Sequence, residues 1–253
     1  MSEPLRIALV AEGPTDQPLI AAALNAILPG QPFVLTQLQP EPTYPQMGTG
    51  WGGVLKWCHA AGVRHTGPID SDPTLELYDL LIIHLDLDVC GKQYADYPQL
   101  PDDERRANWG ALPIHYCCPP VSTGADALAS VLQTWLTPAT IPPKGRAVLC
   151  LPAQSSGTWL AVATLPDEHA QLCAAPGLEC NTQQETWLSE LAPKAHKIKK
   201  TQREYRKHAP TIQERWTYVT QRCAQAERFE FDVRQAFTLA YHRKCDGHTI
   251  NFF

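Results

Sequence analysis

The chain has 253 residues, 44% of them hydrophobic and 19% charged, with a formal net charge of -5. That length suffices for one large domain, or a domain with a smaller companion, around a substantial core. The acidic balance excludes a nucleic-acid polycation. No run reaches the roughly 18 apolar residues of a membrane span, and no signal-peptide pattern precedes the first strand, so a cytoplasmic protein without membrane contact is expected.

Residues 5–11 form the first predicted strand, an apolar run followed at once by Glu12. Gly13-Pro14 makes a turn, and Thr15 or Asp16 can cap the next helix with a side-chain oxygen. Leu19, Ile20, Ala23, Leu24, Ile27 and Leu28 then fall at helical spacing until Pro29-Gly30. Residues 33–38 read as a second strand. A Pro/Gly-rich loop and a helix over 51–61, ended by Gly62, follow. Residues 78–85 are a third strand, nearly all apolar, as expected of a parallel strand buried on both faces. It delivers Asp86-Leu87-Asp88.

From 91 to about 145 the pattern is irregular, with one helix near 125–136. Residues 146–151 form another short strand, a helix can open at Thr158, and helical signals dominate from 183 to about 242. Strands alternating with helices imply an α/β fold with a mainly parallel sheet flanked by helices. Residues 1–165 are expected as the core, with the irregular insertion inside it. Residues 166–253 are expected as a C-terminal helical region packed on that core.

Acids just past the ends of buried parallel strands project from the carboxyl edge of the sheet, where open α/β folds bind ligands. If the first and third strands are neighbours, Glu12, Asp86 and Asp88 converge. Crowded carboxylates repel one another unless a cation neutralises them, and hard oxygen donors suit Mg²⁺ or Mn²⁺. Glu12 can instead serve as a general base if the aspartates raise its pKa. Asp16 is read first as a helix cap and second as a possible site member. Lys92 suits either a phosphate contact or a solvated loop. His84, inside the third strand, is read as a satisfied core histidine.

The segments Val10-Ala11-Glu12-Gly13-Pro14-Thr15-Asp16 and Asp86-Leu87-Asp88-Val89-Cys90-Gly91 resemble the Toprim domain. That family includes topoisomerases, primases and the overcoming-lysogenization-defect nucleases. The resemblance implies a Toprim-like Rossmannoid core. It implies that Asp86 and Asp88 bind Mg²⁺, and that Glu12 binds metal or moves a proton during phosphoryl chemistry. The C-terminal part resembles small bacterial Toprim-like proteins, often found in mobile or defence loci. Those relatives carry a glutamate just ahead of the tryptophan, where this chain has Gly157-Thr158 before Trp159. The implied activity is Mg²⁺-dependent cleavage of DNA or RNA, as an antiviral defence effector acting with a separate ATPase partner. The alternatives are a non-catalytic, partner-binding Toprim-like subunit and a nucleotide-handling enzyme on a similar sheet. The chain has no Gly-x-x-x-x-Gly-Lys-Ser/Thr of its own.

Eight basic residues lie between Lys194 and Arg215 against Glu204 and Glu214. Lys197, Lys199, Lys200, Arg203 and Lys207, with Tyr205 among them, are candidate contacts to a nucleic-acid backbone; a charged solvated helix face is the other reading. Trp216, Tyr218, Phe229, Phe231 and Phe237 are expected in the core of the C-terminal helices. Ser155 and Ser156 form no nucleophile-elbow pattern. The 9 cysteines contain no Cys-x-x-Cys pair and are expected as free thiols of a reducing compartment.

Overall fold

The computed structural model describes residues 3–41, 47–97, 99–101, 104–115, 118–167, 169, 172, 177–191 and 197–247. Four parallel strands form the central sheet: β1 (Leu5–Val10), β2 (Phe33–Gln39), β4 (Leu80–His84) and β6 (Ala147–Cys150), in the order β2-β1-β4-β6. Two-residue strands β3 (Gly67–Pro68) and β5 (Ala139–Thr140) pair separately. The α-helices are α1 (Asp16–Ile27), α2 (Gly50–Arg64), α3 (Ser122–Leu136), α4 (Gly157–Thr164), α5 (Gln184–Glu190), α6 (Gln202–Glu214), α7 (Trp216–Arg222) and α8 (Ala224–Gly247). The architecture is α/β and Rossmann-like.

Both faces of the sheet are covered, and the two-residue period of a strand sorts its side chains between them. Ile7 and Leu9 of β1, Leu80 and Ile82 of β4 and Val148 of β6 enter one core with α1, α4 and the C-terminal helices. Ala8 and Val10, Leu81 and Ile83, and Ala147 enter the other core with α2 and α3. This two-sided burial is why β4 is apolar at successive positions rather than at alternate ones. β1 pairs with β4 through Ile7–Leu80 to Val10–Ile83, so their carboxyl ends finish side by side.

The C-terminal helices share the first core instead of forming one of their own. Trp159 of α4 is fully buried, with Trp216 edge-on at 5.3 Å and Phe229 stacked at 5.7 Å. Phe231 departs from the sequence expectation. It stands 59% exposed, because Phe229 and Val233 hold the inward face of α8 and the residue between them points out. Gly62 does not end α2, which continues to Arg64. It lies against the Leu136 carbonyl at the end of α3, where any Cβ would clash, so the glycine serves close helix packing.

The free-thiol expectation fails at one pair. Cys118, before α3, and Cys180, before α5, are joined in a disulfide with Cα atoms 5.7 Å apart. Chain spacing carries no signal for a link across 62 residues; the fold brings the two loops together. Cys58, Cys90, Cys150 and Cys223 are free and buried. Cys117 and Cys173 lie outside the described residues. No described helix is long and apolar enough to cross a membrane.

Two outcomes follow for stability. Trp159→Ala empties a fully buried aromatic site and lowers unfolding free energy by about 3–5 kcal/mol in urea titration. Replacing Cys118 and Cys180 by serine costs about 2–4 kcal/mol by the same measurement, and mass spectrometry of the unreduced protein recovers the crosslinked peptide.

Candidate metal centre

The strand order reverses direction between β1 and β4: α1 leaves one side of this seam to reach β2, and α2 returns the chain over the opposite face to β4. Ligands of open α/β sheets bind in the crevice at such a switch point. Glu12 lies two residues past β1 and Asp86 two past β4. They meet directly, the Asp86 N–H donating to Glu12 Oε1 at 2.7 Å.

Strand alternation aims His84 to the same side as Leu80 and Ile82, under α1 and α4. There it meets the first residue of α1. Asp16 is only 4% exposed, and its carboxylate turns inward instead of serving as the helix cap. Thr15, at the cap position, makes no side-chain capping bond. Asp16 Oδ2 accepts the Gly13 N–H at 2.8 Å, and Asp16 Oδ1 accepts the Ser156 hydroxyl at 2.8 Å. The Ser156 N–H donates to Asp86 Oδ1 at 3.1 Å, so one serine ties both aspartates to the start of α4. His84 Nε2 is 3.0 Å from Asp86 Oδ1, and Nδ1 is 3.9 Å from Asp16 Oδ2. Neither ring nitrogen makes a well-directed hydrogen bond, although both are buried.

Charge crowding shapes the titration of these groups. Burial, then the Asp86 charge, pushes the Glu12 carboxyl well above the usual range, against His84 and the Asp86 N–H. Burial likewise raises Asp86, to about 6, with His84 opposing and Asp16 and Asp88 adding. Burial alone would lower His84, but Asp16, Asp86 and Glu12 outweigh it and raise it to about 9. The imidazolium is therefore the internal counter-ion of the acids.

Asp16, His84 and Asp86 can each offer a ligand atom, all within 4.8 Å of one another. The group can hold a metal ion, which is compatible with a metal-dependent enzyme. The chemistry of the donors fits a divalent cation. Two buried carboxylates supply charge and hard oxygen, and His84, once an incoming cation displaces its proton, supplies an imidazole nitrogen that Mn²⁺ and later transition metals accept more readily than Mg²⁺.

The other sequence candidates stand outside this group of three. Asp88 stands outside the group of three: its side chain is 47% exposed and pairs with Lys92 at 3.6 Å. It lines a cleft of ≈ 350 Å³ with His115, Gln154 and Thr182. The backbone enters a 3₁₀ turn over Leu87–Gly91, so Asp86 and Asp88 do not follow strand alternation. Lys197, Lys199 and Lys200 precede α6, which begins only at Gln202 under a Thr201 cap. Arg203 and Lys207 are exposed on α6. Tyr205 is no stacking platform; it is 1% exposed and its hydroxyl donates to Glu185 at 3.3 Å. Lys194 and His196 lie outside the described residues.

Sequence reasoning overlooked two residues here. Ser156 follows the strand next to β4, a position that could have marked it as a neighbour of Asp86. Glu185 comes from α5, far along the chain from Asp16 and Asp86, and has no motif around it. It receives Lys200 Nζ at 2.9 Å. Burial lowers the Lys200 pKa, but Glu185, then Asp86 and Asp16, more than offset this and hold it above its usual value.

No protein-family model, curated protein or solved structure matches this chain. The geometry alone makes the prediction: in Mn²⁺ titration by calorimetry, Asp16→Asn and Asp86→Asn each weaken binding at least tenfold to a hundredfold, by rough analogy with known sites. Asp88→Asn weakens it less. An equal loss at Asp88 would place the ion further out along the loop.

Proposed function

We propose that this protein is a divalent-metal-dependent nuclease that cleaves phosphodiester bonds of DNA or RNA. The observation that carries the reading is the convergence of Asp16, His84 and Asp86, with Glu12 bonded to Asp86, at the switch point of a parallel sheet. Resemblance of the Glu12 and Asp86-Leu87-Asp88 motifs to the Toprim domain supports phosphoryl chemistry and Mg²⁺ or Mn²⁺ as the ion. A divalent ion held there would neutralise charge on the scissile phosphate and make a bound water more acidic.

The chain's own groups have separable roles in this reading. Asp16 and Asp86 hold the ion, oriented by Ser156. Glu12, whose proton affinity is raised by burial and by Asp86, accepts a proton from the attacking water. Asp88, half exposed beside its cleft, faces arriving substrate or a second ion. Lys197, Lys199, Lys200, Arg203 and Lys207 follow the sugar-phosphate backbone, a contact that weakens steeply with salt. A separate ATPase partner and a role in antiviral defence rest on the family resemblance alone.

A specific observation favours a second reading, a non-catalytic Toprim-like subunit. His84 already compensates part of the acid charge, so the cluster can persist as structure without any cation.

Cleavage of labelled single- and double-stranded DNA and of transfer RNA separates the two. The expected outcome is Mg²⁺- or Mn²⁺-dependent cleavage that EDTA stops and that Asp16→Asn or Asp86→Asn lacks. Inert wild-type protein, also in the presence of the neighbouring gene products, would favour the non-catalytic subunit.

A further inference from the structure

Glu185 packs against the start of α4 in a gap that only glycine leaves. A Cβ on Gly157 would stand 2.7 Å from Glu185 Cγ and 2.8 Å from Glu185 Oε1. Gly157 directly follows Ser156, the residue bonded to both Asp16 and Asp86. The Glu185 carboxylate therefore occupies side-chain volume at the rim of the acid cluster.

What surrounds that carboxylate is unusual for a surface ion pair. Its Oε1 is met by Lys200 Nζ at 2.9 Å, the Tyr205 hydroxyl at 3.3 Å and the Ser155 hydroxyl at 3.4 Å. Exposed lysine–glutamate pairs contribute little to stability and require neither a buried tyrosine nor a glycine opposite. Here three segments converge to fix one lysine whose side chain remains 51% exposed. An ammonium held in place, open to solvent and within electrostatic range of Asp16 and Asp86, is suited to a phosphate oxygen brought to the same centre.

We propose that Glu185, seated over Gly157, is a positioning residue that holds Lys200 beside the Asp16–His84–Asp86 centre as a contact for a phosphate group bound there. This inference rests on the metal-dependent phosphodiesterase reading and names the chain's own reader of the substrate anion. Glu185 acts through Lys200 and does not itself touch substrate.

The test uses full-length protein and two probes: Mn²⁺ alone, by calorimetry, and a fluorescein-labelled phosphorothioate oligonucleotide, by anisotropy with and without saturating Mn²⁺. Wild type is expected to bind the oligonucleotide in a Mn²⁺-dependent way. Lys200→Met and Glu185→Gln should each weaken that binding about tenfold, as for loss of one charge-assisted hydrogen bond. The double variant should be no weaker than Lys200→Met, Lys200→Arg should recover part of the loss, and Mn²⁺ affinity should not fall. Gly157→Ala, which displaces Glu185, should match Glu185→Gln; Glu185→Gln carries the test if the alanine variant fails to fold.

Additive losses in the double variant, unchanged oligonucleotide binding in Glu185→Gln, equal loss of Mn²⁺ affinity, or wild-type binding that ignores Mn²⁺ would each overturn the inference. Absence of Mn²⁺ binding by wild type would overturn the proposed function itself, a result distinguishable from the others because it appears with the first probe.

Discussion

Acidic side chains buried together at the end of a sheet repel one another, and this repulsion is the constraint around which the structure is arranged. Taking carboxylates out of water is costly unless each finds donors and a counter-charge. Here the counter-charge is His84, inside the strand that delivers Asp86, and the donors are the N–H groups of Gly13, Asp86 and Ser156 and the Ser156 hydroxyl. The pairing of β1 with β4 makes the arrangement possible by setting Glu12 and Asp86 side by side. A cation entering the cluster would complement His84 or take over its role, and would oppose the burial and the neighbouring acid charges that raise the proton affinities of Glu12 and Asp86.

Everything packed on the first face of the sheet contributes to holding this edge. The apolar core under α1 and α4 fixes the two helix starts that present Asp16 and Ser156. The helices beyond residue 183 share that core, and so reach the edge with a second layer of polar groups. Glu179 shows how tightly the connection is made. Its carboxylate accepts the N–H groups of Ala224 and Gln225 at the start of α8, while its carbonyl accepts the Gln154 side chain. The Cys118–Cys180 link ties the same segment to the insertion before α3. Residues from three distant parts of the chain thus meet within one wall of the site.

Much of the sheet was legible from the chain, because strands buried on both faces leave an unbroken apolar signature. The runs ending at Val10 and His84 are of that kind, and an acid just past such a run points to the carboxyl edge. Helix limits were less legible: Gly62 looks like a stop, yet it serves contact between α2 and α3, which depends on the neighbouring helix. His84 and Asp16 each have a satisfactory local explanation, core filling and capping. Only their closeness to Asp86 reveals a shared site. Tyr205 and Phe231 exchanged roles, one buried and one exposed, because the phase of an amphipathic helix is settled by what it packs against.

The sequence by itself determined that this is an α/β protein with acids at strand ends, since hydrophobic period and strand-terminal charge are local properties. The tertiary structure alone decided which acids meet, that a histidine lies between them, that Asp88 turns outward toward Lys92, and that Glu185 fills the space over Gly157. Those outcomes depend on strand order and helix packing, which bring together residues that chain spacing leaves unrelated.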